Sequence, residues 1–327
     1  MRQAAFEAAH AADWQAFERF LDGAKPPPFP AQEMPARYRR ICQALALAAD
    51  RQYGPELVDR LNRLALRGHG VLYRNRRRES QQVLEFLRGG FAALVRREWR
   101  LVGAAAALFF GPFLVLMGVL QLYPEFVHYL LEPEQIAAFH AMYDPSNPRL
   151  GMREADTNLL MFGFYIWNNV RIGFQTFAGG LAAGVGSIWF LAANGVIIGA
   201  VAGYLTQVGF SETFWSFVAG HSAPELLAIV ISGAAGLRLG LAIVSPGNLS
   251  RRAALVAAAR PAVRLMYGAA LMFTLAAFVE AFWSPNRVFP FEVKVGVGLT
   301  GWAVFFAYFL FAGRARPARA ERRDAAG

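Results

Sequence analysis

The most constraining feature of the chain is a stretch of uncharged, mostly apolar residues at 101–122. A helix needs about 20 such residues to cross the hydrocarbon core of a bilayer. A longer stretch at 159–244 contains only four charged residues, Arg171, Glu212, Glu225 and Arg238. Its length suits roughly three further crossings. These stretches predict an integral membrane protein.

Composition agrees with this prediction, because 56% of the 327 residues are hydrophobic and only 17% are charged. Such a chain is too apolar for an ordinary soluble protein. A net charge of +10 is also typical of proteins that bind nucleic acid. The basic clusters at 37–40 and at Arg74, Arg76, Arg77 and Arg78 lack interleaved aromatic residues, so we assign them to anionic lipid headgroups and predict no nucleic-acid partner.

The charge is segregated along the chain. Residues 1–100 carry 18 Lys and Arg against 11 Asp and Glu, whereas residues 124–157 carry two against six. Residues 246–264 contain four arginines and no acid. Cytoplasmic segments of membrane proteins are enriched in Lys and Arg. We therefore predict that both termini are cytoplasmic, in a multi-pass protein of the bacterial cytoplasmic (inner) membrane.

The predicted fold is an all-α, polytopic transmembrane bundle of about six spans behind an N-terminal cytoplasmic helical domain at 1–99. The bundle covers 100–313, with an extracytoplasmic loop at 123–157, an interfacial turn at 209–220, a cytoplasmic loop at 246–264 and a basic cytoplasmic tail at 314–327. The predicted spans are 101–122, 158–180, 182–206, 222–244, 263–282 and 293–311. One or three crossings between 158 and 245 both leave the termini on the same side.

The N-terminal domain has the periodicity of amphipathic helices, at 1–22, at 35–50 and from Pro55 onward. A proline-rich linker occupies 25–30, and a basic turn is predicted at 74–78. Charged residues interrupt the first 20 positions, so we predict no cleaved signal peptide. Cys42 is the single cysteine, which excludes an intramolecular disulfide and is best explained as a core residue.

Six polar side chains fall at predicted membrane depth, where they require partners. They are Asn168, Asn169, Arg171, Asn194, His221 and Glu225. Arg171 either pairs with Glu225 or extends to the membrane–water interface. Ser222 and Glu225 also have the spacing of a capping box at the start of a helix. His221 and Glu225 share a helical face, but one His and one Glu do not make a zinc site. We predict no catalytic, cofactor-binding or metal-binding residues.

Glycines recur at four-residue spacing inside the predicted spans, where small residues allow helix backbones to approach closely. They are Gly180, Gly184, Gly195, Gly199, Gly203, Gly236 and Gly240. Packing within the bundle is the first interpretation, and a homo-oligomer interface is the second.

Two blocks of residues resemble a known family. The first comprises Trp14, the run at 35–48, Leu61-Asn62 and the run at 68–73; the second comprises Asn168, Asn169, Arg171, Asn194-Gly195, the run at 220–226, Gly233, Gly236 and Gly240. This order is similar to that of the stage II sporulation protein M family, except that Ser222 follows the histidine where the family usually has glycine.

The resemblance implies a non-enzymatic multi-pass protein. Members of the family that act in sporulation anchor partner proteins that degrade peptidoglycan, and the resemblance implies a similar role. The wider family often accompanies AAA-type ATPases and von Willebrand factor A-like proteins, which the resemblance implies as partners. We therefore expect a scaffold for a cell-envelope or membrane-remodelling complex. A transporter or channel lined by the six polar residues is the alternative, and an intramembrane hydrolase using His221 and Glu225 is the third. Convergence of the polar residues on one pocket would favour transport, and dispersal would favour the scaffold.

Overall fold

A computed structural model describes residues 2–146 and 155–314, without the side chains of 73–79, 155 and 156. The described residues are helical and form no strand, which confirms the all-α prediction. The chain divides into two compact units, Met1–Glu85 and Phe86–Gly327. Nearly all of the predicted basic tail, together with Arg74, Arg76, Arg77 and Arg78 as side chains, lies outside the described part.

The first unit contains α1 (Gln3–Leu21), α2 (Met34–Asp50) and α3 (Pro55–Glu85). Its core is apolar and includes large side chains from all three helices: Phe6, Trp14, Phe17, Met34, Ile41, Leu57, Leu61 and Leu64. The proline-rich linker also contributes to this core, because Phe29 is buried with its ring stacked 4.5 Å from that of Phe20. This unit therefore has a hydrophobic core of its own.

The predicted basic turn at 74–78 is wrong, because α3 continues through it to Glu85. The segment contains neither Gly nor Pro, and Arg, Glu and Gln are good helix formers. The unit boundary also lies earlier than the predicted residue 99. Phe91 is buried within the second unit, where its ring fills the space left beside Gly268 and contacts the ring of Phe309.

The second unit begins with a π-helical turn at Phe86–Gly90 and α4 (Phe91–Arg97). Seven α-helices follow in the described part of the chain: α5 (Trp99–Leu122), α6 (Pro133–Tyr143), α7 (Ala155–Ala178), α8 (Val185–Gln207), α9 (Ser211–Val244), α10 (Arg251–Phe278) and α11 (Phe291–Phe311). A second π-helical turn, Val279–Trp283, extends α10. Among the described residues, five helices are long and apolar enough to cross a membrane, namely α5, α8, α9, extended α10 and α11. The polytopic prediction is thereby confirmed.

The predicted span at 158–180 forms α7 but is not among these five helices. Asn168, Asn169 and Arg171 lower its hydropathy. Its contacts follow the order of α9, with Gly173 beside Ser232 and Thr176 beside Gly236. Helices α7 and α9 therefore run in the same direction. Helix α8 runs opposite to α9, because Gly184 faces Gly240 and Leu191 faces Gly233.

Two predicted connections are helical in the structure. Helix α9 already begins at Ser211, so 209–220 is not a turn, and α10 begins at Arg251, inside the predicted loop at 246–264. The Ser250 hydroxyl caps α10 by accepting a hydrogen bond from the Ala253 amide. Helix α9 has 34 residues and α10 with its π-helical turn has 33, whereas about 20 residues are enough to cross lipid. Hydropathy predicts only the crossing part of such a helix.

The predicted outer loop at 123–157 contains a short helix at Pro124–Tyr129 followed by α6. Val127 and Ile136 are buried against Leu120 and Ala200. His140 Nε2 lies 2.7 Å from the Tyr204 hydroxyl, which ties α6 to α8. The described part of this segment is therefore a folded cap on α5 and α8.

Helix α9 lies at the centre of the unit. In its most apolar window 61% of the residues are buried, compared with 11% in α5 and in α11. A helix that is apolar on all sides is typical of a buried position. Polar groups in this buried part of α9 are therefore held in a packed environment.

Glycines set the distances between these helices. A Cβ added at Gly195 or Gly199 would overlap the backbone of α5 at Phe109 and Phe113 respectively, and one at Gly203 would lie tightly against the backbone of Met117. A Cβ at Gly180 would overlap the Gly236 backbone, and one at Gly240 would overlap the Gly184 backbone. All seven glycines therefore face backbone within the chain, as expected for close helix packing.

Candidate functional site

His221 is the most deeply buried ionisable side chain of the predicted polar set, with 4% of its surface exposed. Its Nδ1 lies 3.1 Å from the Ser284 hydroxyl oxygen, and its Nε2 lies 3.7 Å from a carboxylate oxygen of Glu225, one turn later on α9. The ring also packs edge-on against Phe217. Both imidazole nitrogens thus face polar groups inside an apolar surrounding.

The π-helical turn at Val279–Trp283 brings Glu280 to the same place. One ligand atom each from His221, Glu225 and Glu280 can be chosen so that all lie within 4.8 Å of one another. Gly220 makes this approach possible, because the indole ring of Trp283 occupies the position that a Cβ there would need. Single π-helical turns inside α-helices are frequent at functional sites.

The sequence analysis missed Glu280, Ser284 and Lys294. A signal for Glu280 was available, since it is an acid within the apolar segment predicted to span at 263–282. Lys294 is 5% exposed, and its ammonium donates a 2.7 Å hydrogen bond to the Ser284 carbonyl. Sequence periodicity cannot indicate this contact, because it depends on how the turn between α10 and α11 folds back.

A cavity of about 360 Å³ reaches the edge of this cluster. Ser284, Lys294 and Phe217 form part of its wall, and the charged residues Glu212 and Arg287 also line it. Ser284 contacts His221 on one side and borders the cavity on the other. The cavity therefore offers an approach to the buried imidazole and carboxylates.

The remaining predicted polar residues do not join this cluster through any described contact. Arg171 is exposed, with its guanidinium 4.7 Å from the centre of the Trp167 ring, so the predicted pairing with Glu225 is wrong. Asn194 donates to the Phe190 carbonyl of its own helix at 2.7 Å. The Asn168 side-chain nitrogen lies 3.4 Å from the Asn169 oxygen.

Asn169 is buried, with 2% exposure. It lies on α7 between Tyr165, which packs in the same apolar cluster as Phe217, and Gly173, which faces Ser232. Asn169 is thus level with the middle of α9.

The predicted capping box is absent, because Ser222 is inside α9 and its hydroxyl donates to the Ala219 carbonyl at 2.9 Å.

Charged side chains also meet near the far end of α9. Arg238 Nη1 donates to Glu98 Oε2 at 2.5 Å, and Arg97 Nε lies 3.4 Å from the other oxygen of this buried carboxylate. Arg96 donates to the Phe309 and Ala312 carbonyls at 2.6 and 2.7 Å. A guanidinium at the end of a helix satisfies carbonyls that have no partner within it. These arginines fasten α4 to α9 and α11.

Comparison with known proteins gives two family matches. The model of the stage II sporulation protein M family matches residues 104–285, more than half of the chain, and that of a domain of unknown function (DUF8413) matches residues 4–74. No curated protein and no solved structure matches. The first match covers the region from α5 to the π-helical turn and includes His221, Glu225 and Glu280. This integral membrane protein therefore belongs to the stage II sporulation protein M family.

Proposed function

We propose that the chain is a non-enzymatic scaffold of the cytoplasmic membrane, whose N-terminal unit docks protein partners of a cell-envelope or membrane-remodelling complex. The observation that carries this proposal is the dispersal of the polar residues. Arg171 and Asn194 make contacts on their own helices, whereas a solute pathway lined by all six residues requires them to converge. Close backbone packing at the glycines also suits a rigid anchor.

The N-terminal unit has a surface suited to docking. A groove of about 350 Å³ follows α1 and α2, with Trp14, Ile41 and Leu47 among its apolar residues and Asp13 and Arg37 among its charged ones. Exposed apolar grooves rimmed by polar residues are typical of protein interaction sites. The family resemblance makes AAA-type ATPases and von Willebrand factor A-like proteins the partner classes to test.

A pull-down of the full chain from detergent-solubilised membranes tests docking. Wild type should recover a reproducible partner that Leu47→Glu loses, because a charge in the groove opposes apolar contact. Leu66→Glu is the matched control, since Leu66 is 66% exposed and does not line the groove. Absence of a reproducible partner, or equal recovery with both variants, would contradict the proposal.

The proposed orientation places the N-terminal unit in the cytoplasm and α6 outside. The basic composition of residues 1–100 and the acidic composition of 124–157 support it. The directions of α7, α8 and α9 suit three crossings in this region. In a Cys42→Ala background, a membrane-impermeant maleimide should label Ser146→Cys in spheroplasts but should label Leu66→Cys only after lysis. The reverse pattern would overturn the orientation.

A further inference from the structure

We propose that His221, Glu225 and Glu280 bind one divalent transition-metal ion. One imidazole nitrogen and two carboxylate oxygens are a ligand set that suits Zn²⁺ and related ions. This inference goes beyond the scaffold role and does not depend on it.

The spacing of the donor atoms supports a shared ion. His221 Nε2 and Glu225 Oε2 are 3.7 Å apart, which is longer than a hydrogen bond. Two ligands bound to one tetrahedral zinc at about 2.0–2.1 Å lie roughly 3.3 Å from each other. The ligand atoms of all three residues lie within 4.8 Å of one another. A modest rotation of the carboxylates therefore gathers them around one centre.

Ser284 holds the imidazole in a suitable orientation. When Nδ1–H donates to the Ser284 hydroxyl oxygen, 3.1 Å away, Nε2 keeps its lone pair on the side of Glu225. Histidine ligands of metals generally donate their other ring N–H to such a partner, which fixes the tautomer and the ring plane. Lys294 in turn anchors the Ser284 backbone through its carbonyl. The ligand therefore has an outer layer of supporting contacts.

The negative charge of the two carboxylates also favours a bound cation. Glu225 is 19% exposed as a side chain and Glu280 is partly buried, so two carboxylates meet beside a buried imidazole. A divalent cation between two carboxylates leaves the group neutral. Three protein ligands also leave a coordination position open, and the cavity beside Ser284 provides an entry path.

Zinc titration of the purified full chain tests the site. The protein is prepared in detergent without an affinity tag, stripped with a chelator and titrated with Zn²⁺ by calorimetry, with elemental analysis of the product. Wild type should bind one Zn²⁺ per chain. Glu225→Gln and Glu280→Gln should each weaken binding at least tenfold, because each removes a ligand. Glu212→Gln should leave it unchanged, since Glu212 lines the cavity on the same helix but lies outside the cluster.

Two results would overturn the proposal. One is wild-type protein that binds no stoichiometric zinc, and the other is binding that is equally strong in Glu225→Gln and Glu280→Gln. X-ray absorption spectroscopy of zinc-loaded wild type provides a test that requires no variant to fold. It should show one imidazole and otherwise oxygen ligands, whereas several imidazoles would place the zinc elsewhere.

Discussion

Helix α9 carries two clusters of charged side chains that differ in their balance of charge. Near its end, the Glu98 carboxylate lies between Arg97 and Arg238. In its first half, the carboxylates of Glu225 and Glu280 meet around the imidazole of His221. The first cluster supplies more than enough cationic charge for its acid, whereas the second combines two acids with a group that is neutral unless protonated. A cluster of the second kind suits the binding of a cation.

We expect a structural role for the first cluster and ligand binding at the second. Glu98 is 7% exposed, yet its two arginine partners explain its burial without any external ligand. The arrangement also connects α4 and α5 to α9. Removal of one member should therefore affect stability at the first cluster, and ligand binding at the second.

The largest effect is expected from Arg238→Ala. The substitution removes the closer of the two arginine partners of the buried Glu98 carboxylate and leaves it with the longer contact to Arg97. Breaking a buried ion pair by removing one partner typically costs 3–5 kcal/mol. Because the Arg238 side chain is 30% exposed, we expect a loss of about 3 kcal/mol in the free energy of unfolding, at the lower end of that range. Denaturant unfolding in detergent micelles measures it.

Arg252→Ala is the matched control, because Arg252 is exposed on α10 and should contribute little. The double variant Glu98→Gln with Arg238→Ala should recover part of the loss, since it removes the carboxylate that has lost its closer partner. A loss below about 1 kcal/mol for Arg238→Ala would make the pair equivalent to a surface salt bridge and would contradict a structural role for this cluster.

A smaller loss is expected from Gly180→Val, which changes the packing of α9 without changing any charge. A side chain at Gly180 would overlap the Gly236 backbone, and overpacking typically costs 1–3 kcal/mol. We expect about 2 kcal/mol in the same unfolding measurement. Gly163→Val, on the preceding helix α7, has open space around it and should be nearly neutral. Equal losses in both variants would point to helix propensity instead of backbone contact.

Much of the fold was predictable because lipid imposes a simple rule on sequence. Long uncharged stretches such as 101–122 indicated helices that are long and apolar enough to cross a membrane. The predicted starts of α9 and α10 were wrong, because these helices begin earlier, at Ser211 and Arg251, inside segments predicted as connections. Length and hydropathy do not define where such a polar extension stops.

The candidate site was only half predictable for a related reason. His221 and Glu225 share a helix, so a four-residue spacing was enough to place them together. Glu280 and Ser284 reach them through a π-helical turn and through the space beside Gly220, and neither has a strong local signal. Glu98 and Arg238 are separated by 140 positions, so only the tertiary fold reveals their pairing.

Ser284→Ala tests the support of the second cluster. Loss of an outer-layer partner typically lowers metal affinity 10–100-fold, so zinc should bind at least tenfold more weakly while one site per chain is retained. Tenfold corresponds to about 1.4 kcal/mol. Ser216→Ala, which alters a cavity residue outside the cluster, is the control and should leave the affinity unchanged. Unchanged zinc affinity in Ser284→Ala would mean that the hydroxyl does not orient the imidazole.

The smallest effect on stability is expected from Glu225→Gln in metal-free protein, compared directly with Glu98→Gln. Neutralising Glu225 relieves the repulsion between two neighbouring carboxylates, so its unfolding free energy should stay within about 1 kcal/mol of wild type or rise. Neutralising Glu98 deprives two arginines of their partner and should cost more. Adding Zn²⁺ should then stabilise wild type, by mass action on the folded state, but not Glu225→Gln. If both substitutions cost the same without metal, the acids of the second cluster would be held as firmly as Glu98, and its imbalance of charge would no longer argue for a cation.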